Sequence, residues 1–425
     1  MSNPHPLHAA IALVLAAGAV SVPLHARTIA QTPDGSTLAD PVDLDTLEVR
    51  AQLESQMRAI DFKRASDAIQ DTVSSDSMGQ YPDKNVGESL SRLPGISVTR
   101  DQGEGRFVVV RGLDAAFNSV SVDGVAIGTP EDASRAAPLD VIPSESTERL
   151  TVVKAPTPDM PGDAIGGAIL VESASAFDRA GRDIRAKAEM SHQNLSGKAS
   201  PKAAFNYSDI FADGAFGVAL GLSHQDRDYE SDNIEVEYDK VDARDGLTPI
   251  EIQQRKYSIN RERTGVNLNL DWRPGDGNSY YLRTLYTDFT DAETRQNSII
   301  PVGEGDITTN ADGTYTVDGI DPGDFSRRVR FRTKDEDTLT VSAGGENRFG
   351  AGSSVDYKLG FTKTRERVMD EVEARFEYDG ADDVSILMDT SSPIPRYTIS
   401  DSPAGGWLDN DNYEFNRFVV APIRV

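Results

Sequence analysis

Three period-two runs set the strongest limit on what this chain can fold into. Phe216, Val218, Leu220 and Leu222 alternate with Gly217, Ala219, Gly221 and Ser223. Val266, Leu268, Leu270 and Trp272 alternate with Asn267, Asn269 and Asp271. Val355, Tyr357, Leu359 and Phe361 alternate with Asp356, Lys358, Gly360 and Thr362. Each run gives a strand with one apolar and one polar face, about the ~10 residues a tilted strand needs to cross a bilayer. The connections alternate in length too. Short turns stand at Ala212-Asp213-Gly214, Pro274-Gly275-Asp276-Gly277 and Gly350-Ala351-Gly352. Long polar segments stand at about 226–262, 290–327 and 367–412. A soluble β-sandwich shares the alternation. The loop asymmetry favours a transmembrane barrel.

Composition narrows the partners. A formal net charge of −26 argues against nucleic acid, which needs clustered Lys and Arg. The chain has no cysteine, which excludes disulfides, thiolate metal sites and cysteine nucleophiles. It has no run of 18 apolar residues, so no transmembrane helix is expected, whereas barrel strands dilute the hydropathy signal.

The start of the chain reads as an address and a tether. Ala9 to Val22 is a short apolar run followed by small residues, as in a secretory signal peptide over 1–30 cut after Ala26 or Ala30. Residues 31–62 are expected to be flexible. Within them Leu44-Asp45-Thr46-Leu47-Glu48-Val49-Arg50 is a short alternating segment with no local sheet to join. It is either a stray apolar patch or a strand free to add to another protein's sheet edge.

Gly79 to Glu172 reads as a compact α+β domain. Pro82-Asp83 offers a helix N-cap, Val86, Leu90 and Leu93 share one helix face, and Pro94-Gly95 ends it. Strands are expected at Ile96–Thr99, Arg106–Arg111, Ser119–Asp123, Glu148–Lys154 and Ala168–Glu172, with a hairpin turn at Asp123-Gly124. Gly103, Gly105 and Gly112 miss both nucleotide fingerprints and read as turn residues. Nothing here looks catalytic. Of the five histidines, His5, His8 and His25 lie in the leader, and His192 and His224 make no ligand pair. No G-x-S-x-G elbow occurs. The chain is therefore not expected to be an enzyme, and no cofactor or metal is expected.

Several stretches together resemble the TonB-dependent outer-membrane receptors, in particular the subgroup abundant in Caulobacter- and Xanthomonas-type bacteria. They are KRASDAIQDTVSSDSMGQYPDKNVGESLSRLPGISVTRDQGEGRFVVVRGL, NSVSVDG, SRAAPLDVIPSE, VVKAPTPDMPGDAIGGAILV and AFD, over residues 63–178. The stretch Gly162-Asp163-Ala164-Ile165-Gly166-Gly167 and the ending Glu172-Ser173 depart from the family's usual Glu-Gly-Gly-Ile-Gly-Gly and Arg-Thr. The resemblance implies an α+β plug at 63–178 and the first part of an outer-membrane barrel at 183–425. It also makes Leu44–Arg50 the TonB box.

The implied work is active import of a ligand, a carbohydrate by subgroup, into the periplasm. The partners would be the energy-transducing TonB complex and outer-membrane lipid. The alternatives are an iron-complex receptor of the same fold, or a passive adhesin or pore. Arg100, Glu104, Arg111 and Glu148 are the expected plug–barrel contacts. Glu131, Asp132 and Arg135 on a plug tip, and Trp407, Asp409, Asp411 and Tyr413 in the last long loop, are the ligand-binding candidates. About eight strands follow Asp183, against roughly 22 in barrels of this class. A plug with a radius of gyration near ~14 Å does not fit inside an eight-stranded barrel. The expectation is a fragment of a longer receptor.

Overall fold

The structure is a computed structural model, and it describes residues 57, 59–74, 83–130, 134–158, 160–179, 181–275, 277–349, 352–401 and 404–421. The leader, the segment 44–50, Glu131 and Asp132 lie outside them.

The central domain begins with β1 (Ile69–Ser74) and a one-turn helix, α1 (Val86–Leu90). Asn85 caps this helix, its side chain accepting from the Glu88 amide at 3.0 Å. That corrects the expected cap at Asp83, which instead accepts from Ser89 Oγ at 2.7 Å and Arg92 at 2.5 Å. The extended backbone needed at a cap falls two residues later, on a residue equally suited to the role. Val86 and Leu90, one helical turn apart, are fully buried.

A hairpin follows, β2 (Ile96–Asp101) and β3 (Glu104–Val110), and then β4 (Asn118–Val122), β5 (Val125–Ala126), β6 (Arg149–Ala155) and β7 (Gly167–Glu172). Asp123 and Gly124 both take positive φ (48° and 73°), the turn that Asp-Gly predicts. The domain's sheet runs β1-β6-β7-β4-β5. Among the described residues β1 is therefore an edge strand paired with β6 alone, with Val73 in the core and Asp71 salt-bridged to Lys63 at 2.5 Å. The core gathers Leu90, Val110, Val120, Leu139, Leu150 and Ile169, and Leu285 and Phe289 from the next part of the chain join it.

That next part is one long antiparallel sheet. Its strands are β8 (Asp183–Gln193), β9 (Lys198–Phe211), β10 (Phe216–Lys240), β11 (Leu247–Gly275) and β12 (Asn278–Ile300). After β13 (Asp306–Thr309) and β14 (Tyr315–Ile320) come β15 (Ser326–Phe349) and β16 (Ser353–Tyr378). β17 (Val384–Asp389), β18 (Arg396–Ser400) and β19 (Tyr413–Val420) complete the chain. The long sheet runs β8-β9-β10-β11-β12-β15-β16-β19 and is open. Among the described residues β8 and β19 each have one hydrogen-bonded neighbour.

Register turns the period-two runs into rows. On the outer face Val218, Leu270, Leu282, Ala343 and Leu359 stand side by side, and Leu220, Leu268, Val341 and Phe361 lie in the next row. Towards the short turns Phe216, Trp272 and Tyr280 form an aromatic row, with Trp272 and Tyr280 stacked at 5.1 Å. Towards the other end the row of Leu222, Val266 and Leu339 is the last apolar one. Asp288, Asp337 and Arg365 stand beyond it. Four rows about 6.7 Å apart make an apolar band about 20 Å tall, close to the lipid-facing band of an outer-membrane sheet.

The long polar segments are not loops. β10 and β11 continue the ladder from Phe216–Trp272 out to Lys240–Leu247, so most of 226–262 is strand. Charged residues there pair across strands, for example Arg255 with Glu235, which lets a ladder persist in water. Parts of 290–327 and 367–412 build a second sheet, β13-β14-β17-β18. It has its own core of Tyr315, Val317, Ile320, Val384, Ile386 and Met388, closed by Ile252 and Ile300.

Candidate functional site

The inner face of the long sheet carries a cationic cluster. On β10 and β11 odd-numbered residues point inward, and the register sets Arg227 directly across from Arg261, with Arg263 one inward position along. Like charges face to face repel unless an anion lies between them. Glu104 is that anion. The β2–β3 turn, with Gln102 and Gly103 at φ 51° and 87°, brings the start of β3 onto the sheet. Glu104 is fully buried. Its carboxylate pairs with Arg227 and Arg263, and with Arg261 at 3.1 Å. Asp101 and Asp291 also reach Arg261, at 3.3 and 3.2 Å, and Gln102 accepts from it at 2.7 Å.

Charges around this lock are shifted by burial. Burial, with Arg227 nearby, lowers the Lys84 ammonium to about 8. Burial raises the Asp140 carboxyl, against the pull of Arg106 and Arg261.

A second contact zone lies nearer the short turns. Ser146 Oγ and Ser223 Oγ are 3.4 Å apart, Asn269 donates to Ser173 Oγ at 2.8 Å, and Ser175 donates to Asp271 at 2.8 Å. Gly265 faces Pro143 and Ser146 so closely that a Cβ there would stand 2.4 Å from Ser146 Oγ.

The other proposed contacts fall elsewhere. Arg100 pairs inside the domain with Glu88 at 2.8 Å. Arg111 sits in a turn at φ 53° and donates to the Gly166 carbonyl at 3.3 Å. Both are corrections to a pairing with barrel strands. Glu148 pairs with Arg179 at 2.7 Å, in the connection ahead of β8.

Beyond the lock, at the long-loop end, the extended strands and the last loop line a cavity of about 1060 Å³. Asn233, Arg255, Asn297, Arg328 and Tyr413 are among its walls. Trp407 packs against the core of the small sheet, and its carbonyl accepts from Arg327 and Tyr413 at 2.9 Å. Asp409 caps a turn by accepting from the Asp411 amide at 3.0 Å, and Arg135 pairs with Asp163 at 3.4 Å. Tyr413 alone of the four last-loop candidates lines the cavity. Among the described residues no group of three or more His, Cys, Asp or Glu is placed to hold a metal. No helix among them is long and apolar enough to cross a membrane.

The cationic trio went unseen in the sequence because Arg227 and Arg261 lie at the two ends of the segment read as a loop, with Arg263 just past it. Its signal was Arg261 and Arg263 two apart in an alternating stretch.

A small α+β domain is thus seated on the polar face of an antiparallel sheet whose other face is an apolar band. Residues 63–168 match the model of the TonB-dependent receptor plug domain, and the chain carries that domain, followed by the long antiparallel sheet. Solved structures with a similar fold include the unliganded ferric citrate transporter FecA. It is 14% identical, with 79% of this chain and 59% of that chain covered and a TM-score of 0.34. A mutant of the ferric enterobactin receptor PfeA of Pseudomonas aeruginosa is 11% identical, with 79% and 61% covered and a TM-score of 0.35. The ferric-catecholate import receptor Fiu of E. coli K12 is 10% identical, with 76% and 72% covered and a TM-score of 0.32. The chain spans less than two thirds of the length of FecA and PfeA.

Proposed function

We propose that this chain serves energised import of a small ligand across the outer membrane, with residues 63–178 as a movable plug. The observation that carries this reading is a plug domain of the TonB-dependent family, docked on the inner face of barrel strands through Glu104. The leader at 1–30 directs export. The tether at 31–62 presents Leu44–Arg50 in the periplasm, where TonB captures it by strand addition. Tension on the tether passes through the helical residues 59–65 to β1, the first strand of the plug. Among the described residues β1 is an edge strand with β6 as its one neighbour, so it can separate while the rest of the sheet stays paired. The ligand enters from the long-loop end, where Asn410 and Tyr413 in the cavity wall offer an amide and an aromatic ring that suit a carbohydrate.

The test is a photo-crosslinking residue at Val49 in energised cells. It is expected to trap TonB. Deletion of residues 44–50 is expected to leave ligand binding unchanged and stop uptake. Uptake that survives the deletion contradicts the proposal.

A further inference from the structure

We propose that Gln102 is a positioning residue of the plug: its side-chain amide keeps Arg261 and Glu293 of the long sheet apart, and without it those two pair and Glu104 loses its hold. This rests on the reading of residues 63–178 as a movable plug. The carrying observation is a closed ring of side chains on the inner face. Arg261 pairs with Asp291 at 3.2 Å, Asp291 with Arg332 at 3.7 Å and Arg332 with Glu293 at 3.2 Å. Gln102 closes the ring, donating through Nε2 to Glu293 and accepting through Oε1 from Arg261 at 2.7 Å. Of these five members Gln102 alone comes from the plug, and it alone is uncharged.

The amide dipole lies between two opposite charges. Its carbonyl end meets the guanidinium and its NH2 end meets the carboxylate, whereas the reverse setting would face donor to donor. Glu293 is also held by Arg330. Arg261 is buried, and besides Asp291 it is held by plug groups: Asp101 at 3.3 Å, Gln102, and Glu104 at 3.1 Å. Among the described residues Arg261 and Glu293 form no ion pair with each other. Register nevertheless makes them diagonal neighbours on one face, because Arg261 stands opposite Asp291 and Ile259 opposite Glu293. Side chains of this length meet across such a diagonal. Glu293 is therefore a competitor of Glu104 for Arg261, and the plug's amide stands between them.

The backbone agrees with this role. Gln102 holds φ 51°, a conformation that costs any residue with a Cβ and that glycine takes freely. A turn built for shape alone would be less strained with glycine there, as at Gly103 with φ 87°. The side chain of Gln102 offsets that strain through its two charge-assisted bonds. When the plug is drawn away, Arg261 and Glu293 close on each other. That closure lowers the cost of release, and reseating the plug has to part them again.

The experiment is thiol labelling of the purified full chain in detergent. The chain has no cysteine, so Ser146→Cys supplies a single thiol. Ser146 is buried against Ser223 of the sheet, so its replacement reacts when the plug segment leaves. Gln102→Ala is expected to speed labelling about tenfold. Gln102→Gly is expected to do the same, although it relieves the turn. Glu293→Gln removes the competitor and is expected to slow labelling roughly two- to fivefold. With Glu293→Gln in place, Gln102→Ala is expected to change the rate by less than about twofold, because the two act on one contact. Labelling no faster in Gln102→Gly overturns the inference with no change made in the sheet. It is also overturned if Glu293→Gln leaves labelling unchanged or speeds it, or if Gln102→Ala has the same effect in both backgrounds. Labelling needs neither TonB nor ligand. These results therefore bear on this inference alone, and failed capture at Val49 bears on the import reading alone.

Discussion

Glu104→Gln is expected to weaken plug docking by about 3–5 kcal/mol, the usual cost of removing one partner of a buried ion pair. Glutamine keeps the shape of the side chain and loses the charge. Arg227, Arg261 and Arg263 then face one another around a neutral amide. Of the three, only Arg261 is also reached by Asp101 and Asp291, so Arg227 and Arg263 are left without a carboxylate ion pair from the plug. The readout is urea unfolding followed by a probe in the plug, with proteolysis of the β2–β3 hairpin as a second measure. The plug transition is expected to move to lower urea while the sheet transition stays in place. Adding Arg227→Gln is expected to return part of the loss, because one uncompensated cation goes with it. An unchanged plug transition in Glu104→Gln would mean that the cluster is solvated and does not hold the plug.

Gly265→Val tests the second contact zone by volume instead of charge. The first added carbon would stand 2.4 Å from Ser146 Oγ, 2.8 Å from Ser223 Oγ and 3.0 Å from Pro143 Cγ. Valine suits a strand, so the sheet itself is expected to tolerate it. The plug segment 143–146 has to move away, at a cost of about 1–3 kcal/mol. Hydrogen exchange is expected to speed up at the Ser146 amide, which donates to the Pro143 carbonyl at 3.1 Å. Gly275→Ala has open space around the new carbon and serves as the control with no expected change.

Much of the fold was legible because burial has a period. The alternation at Phe216–Leu222, Val266–Trp272 and Val355–Phe361 named strands, and the same residues form the outer apolar rows. The spacing of Val86 and Leu90 named the helix, and Asp123-Gly124 named its turn. The site was less legible because it is made by register. Arg261 and Arg263 share a face by their spacing. That the face is the inner one, and that Arg227 stands opposite, follows only from pairing across strands. Glu104 stood out as a charge between glycines in the stretch around the β2–β3 turn. Arg100 and Arg111 look alike in the sequence, but a partner twelve residues earlier and a positive φ turn them back into the plug. The small sheet was missed for a similar reason. Tyr315–Ile320 and Val384–Asp389 are each short alternating strands, but they pair across a long sequence separation, between two segments that looked like separate loops.

In the proposed import mechanism, tension on the tether opens the plug while the long sheet stays intact. Single-molecule pulling tests it with no ligand needed. The chain is held in a bilayer and drawn from residue 49 on the periplasmic side. A first, low-force event is expected to strip β1 from β6 and free chain up to α1, an extension on the order of 100 Å. The plug hairpin bound through Glu104 should yield later, and at lower force in Glu104→Gln. A first event that removes strands of the long sheet, or release of the whole plug in one step with β1 still paired, contradicts it.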